Sequence, residues 1–163
     1  MAELTNLESK LGEVIGLAMA AQVAVKKVIK LAEDESGLVR TLEVMQTEAE
    51  ETEQRGVALA GTFEGKKTAI LDEAREVKQK GATMLSTYLD AESDALDGFE
   101  FLTMAEAAEV GHWSVLGELN ARAGHRDLAA LIDWALPIQQ RHFSEALEGS
   151  KTLAREENPN ETS

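Results

Sequence analysis

The chain has 163 residues, with 16 basic and 30 acidic side chains and a formal net charge of −14. That length suffices for one domain with its own apolar core, and the negative charge argues against a surface built for nucleic acid or anionic lipid. The absence of cysteine excludes disulfides, thiolate metal sites and thiol catalysis. Two prolines and 4% aromatics, with abundant Ala, Leu, Glu and Lys, describe a helical protein.

Leu4, Leu7, Leu11, Val14, Ala18, Ala21, Val25, Val28 and Ala32 recur at alternating three- and four-residue spacing. They form one face of a long first helix, widened by Ile15, Met19 and Ile29. Its most apolar stretch, Val14 to Val25, contains Gln22 and is too short to span a bilayer. The acidic N-terminus lacks the basic start and apolar run of a secretion signal, so a soluble, cytoplasmic protein is expected. Glu33 to Gly37 ends this helix, and a second follows from about Leu38 to Ala60. Its stripe of Leu42, Met45, Ala49, Thr52, Gly56 and Leu59 is small or polar in the middle, leaving room for something other than aliphatic packing.

Gly61 to Gly65 breaks the pattern. From about Lys67 to Leu89 the chain reads as one or two shorter helices, a crossover packed against the side of a bundle. Asp90, Glu92 and Asp94 resemble the start of a calcium loop, but Ala95 and Phe101 stand where glycine and glutamate are required. Helix capping accounts for these acids. A third long helix, from about Leu96 to Ala123, carries Phe101, Ala105, Ala108, His112, Val115 and Leu119 on one stripe and stops at Gly124. A fourth, from about Arg126 to Arg155, carries Leu128, Leu131, Ala135, Ile138, His142, Glu145 or Ala146, Gly149 and Leu153, with a kink expected at Pro137. No segment alternates with period two. The reading is an all-α domain over residues 1–155, at least about 65% helical, with a polar tail over 156–163 that is expected to fray.

Three polar features interrupt this pattern. Gln22 lies in the most apolar stretch, and His112 and His142 lie on apolar stripes. Each histidine has a polar residue three positions earlier on the same helix face, Glu109 before His112 and Gln139 before His142. In antiparallel pairs joined by short loops, Gln22 falls opposite Glu48 and Glu50, and His112 opposite Ile138 and Gln139. These groups therefore gather at the waist of their helix pairs. Either a metal site or a buried hydrogen-bond network that fixes register would place them there. Gln22, His112, Gln139 and His142 are expected to be largely buried.

Glu50-Glu51-Thr52-Glu53, Gly65-Lys66-Lys67, Glu109-Val110-Gly111-His112-Trp113 and Ala123-Gly124-His125 give the chain, from the first helix to about residue 155, a likeness to known proteins. It resembles the ferritin-like superfamily, in particular the YciF-like bacterial stress proteins. The resemblance implies a four-helix bundle with a helical crossover between the second and third long helices, often dimeric, with a di-metal centre. Carried over by position, the family's first-helix glutamate falls on Gln22, and its second-helix Glu-x-x-His on Glu50 and Glu53. Its third-helix glutamate falls on Gly111 beside His112, and its fourth-helix glutamates on Gln139 and Gln140. Most of these positions depart from the pattern, and an amide oxygen is neutral and a weak ligand where carboxylates would offset metal charge.

The metal-ligand candidates are thus Gln22, Glu50, Glu53, Glu109, His112, Gln139 and His142. The favoured function is a stress-associated bundle with a degenerate site that holds iron or manganese weakly. The alternatives are an active di-iron or di-manganese protein handling peroxide or ferrous iron, and a helical scaffold that acts through a protein partner. A homodimer is also expected, because Phe99, Leu102, Trp113, Leu116 and Trp134 exceed what one core stripe needs.

Overall fold

A computed structural model describes residues 2–162. Among them are five helices, α1 (Asn6–Leu31), α2 (Ser36–Ala60), α3 (Lys67–Tyr88), α4 (Ala95–Ala123) and α5 (Arg126–Ala154), and no strand. Helix accounts for 81% of these residues, and none is long and apolar enough to cross a membrane. Local chemistry sets several of the ends. Thr5 caps α1 in a reciprocal box with Glu8, and Asp94 caps α4 in the same way with Asp97, which explains that acidic loop without a calcium ion. Gly124 ends α4 in the left-handed conformation (φ 74°), and the Asn120 side chain spans the turn by bonding both backbone groups of His125. The crossover is a single helix, and α5 runs through Pro137 without interruption.

The contacts fix the topology. Ile15 lies against Gly56, Arg55 against Trp134, Phe99 against Gly149, and Val28 against Gly98. Gln22 reaches Glu53, Glu48 reaches Arg141, Gly117 approaches Ile132, and His112 approaches Glu13. Residue numbers run in opposite directions across each of these pairs. The helices α1, α2, α5 and α4 therefore form a four-membered ring with antiparallel neighbours. The fifth, α3, lies outside it and runs parallel to α1, as Gly12 on Ile70, Gly16 on Ala74 and Ala20 on Gly81 require. A Cβ at Gly12 would stand 2.7 Å from the Ile70 carbonyl oxygen, and one at Gly16 would run into that of Ala74. Glycine is what lets α3 lie this close.

The buried face of α4 differs from the expected stripe. Phe99, Leu102, Trp113 and Leu116 are buried, together with Glu106 and Glu109, whereas Ala108 and Val115 are exposed. Of two overlapping periodic faces, the one with the larger apolar side chains turns inward. Phe101 of the expected stripe is buried as well, but over the rest of the helix Phe99, Trp113 and two leucines remove far more apolar surface from water than Ala108 and Val115 would. The same finding corrects the argument for a dimer. Phe99, Leu102, Trp113 and Leu116 belong to the core and Trp134 is half-buried, so they are not surplus surface.

The apolar core is split. One cluster, built on Leu11, Ile15, Ile70, Trp113, Leu116 and Leu128, fills one end of the ring. Another, built on Val25, Val28, Leu42, Met45, Phe99 and Leu102, fills the other. Between them lies a polar layer.

Candidate functional site at the polar waist

Each helix of the ring contributes to this layer by its register. On α4, Glu106 and Glu109 stand three apart on the buried face, and on α5, Gln139, His142 and Glu145 continue at the same spacing. Phe99 against Gly149 sets Glu106 level with His142 and Glu109 level with Gln139. Thr52 and Glu48 come from α2, and the contact of Ile15 with Gly56 sets Gln22 of α1 level with Ala49.

Glu106, Glu109, Gln139 and His142 are each at most 3% exposed. The His142 ring lies between two carboxylates, with Nε2 at 3.5 Å from Glu48 Oε1 and Nδ1 at 3.7 Å from Glu106 Oε2. The other Glu48 oxygen is paired with Arg141, which also approaches Glu145 at 3.6 Å and closes the layer at the surface between α2 and α5. That hydrogen bond to Glu48 holds the Arg141 proton more firmly than in a free arginine. Burial, reinforced by the neighbouring Glu106, pushes the Glu109 carboxyl well above its ordinary range.

Five polar atoms of this layer are buried without a hydrogen-bond partner: Glu48 Oε1, Glu106 Oε2, Gln139 Oε1, Glu145 Oε2 and His142 Nε2. Buried polar groups ordinarily find partners, and leaving one unmet costs about 1–3 kcal/mol. Four of the five are carboxylate or amide oxygens, so the layer is rich in lone pairs.

The residues singled out from the sequence are distributed unevenly. Glu109, Gln139 and His142 are in the layer. Gln22 is half-buried and donates to Glu53, one turn beyond its level partner. Glu50 is exposed. His112 faces α1 rather than Gln139, with Nδ1 at 3.0 Å from Glu13 and 3.2 Å from Lys10, and its side chain is 39% exposed. The sequence reading placed it on the buried stripe, and the rotation of α4 moved it to the flank. Glu48, expected opposite Gln22, and Glu145, expected on the stripe of the last helix, were not among the ligand candidates, and Glu106 was not singled out at all. For Glu106 the available signal was its place on the Phe99–Leu102–Trp113–Leu116 ladder. For Glu145 it was the spacing of three after His142.

As a metal site the layer fits one ion better than two. A dinuclear centre in a bundle draws carboxylates from every helix and two histidines, whereas here α1 offers only an amide and the layer has a single imidazole. Among the described residues, no three His, Cys, Asp or Glu side chains are already drawn together in a ligating group. The donor atoms are nevertheless of the kind that hard cations take, carboxylate oxygens with one imidazole nitrogen. No protein-family model, curated protein or solved structure matches the chain.

Proposed function

We propose that this chain is a ferritin-like bundle protein, of the kind typified by the YciF-like stress proteins, that holds a single iron or manganese ion weakly at its polar waist. The observation that carries this reading is the set of buried atoms without hydrogen bonds on Glu48, Glu106 and His142. A cation would satisfy them together, and an adjustment of side-chain torsions would bring them to ligand distance. The chemistry such an ion supplies is Lewis acidity and one-electron exchange. The chain's own residues hold it, exclude bulk water through the two apolar plugs, and balance its charge. Gln22 and Gln139 leave two positions without charge, so affinity is low and a second ion is disfavoured.

Metal analysis of purified protein, followed by titration with manganese(II) and iron(II), tests this. The expected result is at most one ion per chain, lost in Glu106→Gln and His142→Ala. Gln22→Glu with Gln139→Glu should strengthen binding and destabilise the metal-free protein, because Gln22 already abuts Glu53 and Gln139 lies level with Glu109. Two tightly held ions per chain with peroxide turnover would overturn the reading in favour of an active di-metal protein. No binding by either protein would favour the second reading, a metal-free network in which His142 bridges Glu48 and Glu106 and sets register.

A further inference from the structure

On the side of the ring away from Arg141, a crevice opens between α1, α3 and α4. It has a volume of about 90 Å³ and runs from the exposed Met84 past Ala20, Gly81 and Ala105 to Glu106 and Glu109. Its walls are apolar, mostly alkyl groups with the Phe101 ring among them, and its only charged lining residues are these two carboxylates, 2% and 3% exposed. Glu106 turns Oε2 toward His142, while the Glu109 carboxyl has no hydrogen-bond or ion-pair partner among the described residues. We propose that this crevice binds a small primary alkylammonium ion, with its apolar body between the three helices and its ammonium group on the Glu106–Glu109 pair.

Charge and shape both point to this class of ligand. Among the described residues, no Lys, Arg or His lines the crevice beside Glu106 and Glu109, and Arg141 is paired with Glu48 and Glu145 on the opposite side of the ring. A cationic head would bring the two carboxyl groups both hydrogen-bond donors and a counter-charge. An inorganic cation would need oxygen donors around most of its surface, and the crevice has them at one end only. An alkylammonium presents carbon to the alkyl walls and its three N–H donors to the carboxylates. A dry cavity of about 150 Å³ accepts benzene, so this smaller one takes on the order of four non-hydrogen atoms, the size of propylammonium. The chain's charge of −14 raises the local concentration of any cation.

The inference needs no metal but shares Glu106 with the reading above, so it is tested on full-length protein stripped of metal with EDTA. Propylammonium chloride is titrated in while the backbone amide shifts of Ala20, Gly81 and Ala105 are followed, with 1-propanol and tetramethylammonium as matched controls. The expected result is a saturating shift at these amides with propylammonium, at least tenfold weaker for either control. Glu109→Gln should weaken binding at least tenfold while the protein stays folded. Ala108→Phe, on an exposed lining residue at the crevice, should block binding without touching the carboxylates. Shifts that never saturate, equal affinity for propanol, or unchanged affinity in both variants would overturn the proposal.

Discussion

Glu109 shows at the scale of one residue how burial and charge oppose each other. A carboxyl that holds its proton more firmly in the fold than in the unfolded chain stabilises the fold at low pH. That contribution is lost as pH rises from about 4.5, the ordinary value, toward the higher folded value. Glu109→Gln keeps the shape and removes the ionisation. It should therefore raise the thermal midpoint at pH 8, with little effect at pH 4. Melting curves of both proteins across this range check the sign, and a gap that narrows with rising pH would contradict the burial argument. His142 is under a different constraint. Both of its nitrogens face carboxylates, one on α2 and one on α4, so the side chain ties α5 to two neighbours at the same level.

At the scale of the element, α4 carries two candidate faces, and side-chain volume decides between them. Trp113→Ala should cost about 3–5 kcal/mol, because the ring is 1% exposed within the core. Val115→Ala, two residues along and 48% exposed, should cost less than about 0.5 kcal/mol. Denaturant midpoints of the two variants separate the faces directly, and equal effects would mean that α4 is rotated. The face of α1 toward α3 is read by size in the opposite sense. Gly12, Gly16 and Ala20 follow one another at four-residue spacing and admit the crossover helix at close range. Gly16→Ala would push its methyl into the Ala74 carbonyl, so the helices must part, at a cost of about 1–3 kcal/mol despite alanine's better helix propensity. Chemical unfolding of this variant checks that sign.

On the scale of the whole molecule, two apolar clusters enclose a polar layer, and the charge on the surface is strongly one-sided. The clusters hold the ring closed at each end, so the layer tolerates unmet hydrogen bonds that would open a smaller core. A charge of −14 on a chain of this size repels itself. Raising sodium chloride from about 0.02 to 0.3 M shortens the screening length severalfold. The thermal midpoint should rise by about 2–4 °C, without the change that specific cation binding at the waist would add for manganese. A midpoint that falls with salt would mean that ion pairs such as Arg141–Glu48 outweigh the general repulsion.

Sequence alone determined what depends on neighbours along the chain. The capped start at Asp94, the stop at Gly124, the helical crossover and the inward places of Gln139 and His142 all follow from residues close together along the chain. These features need no knowledge of what lies across the bundle. Tertiary structure decided the rest. A glutamate reads as solvent-facing by default, and Glu48, Glu106 and Glu145 came inward only because larger side chains on the same faces, or the register of the facing helix, took them there. His112 moved to the flank for the same reason. Periodicity states that a helix has a face. The energy of burying one face rather than the next is settled only when all four helices compete for the same interior.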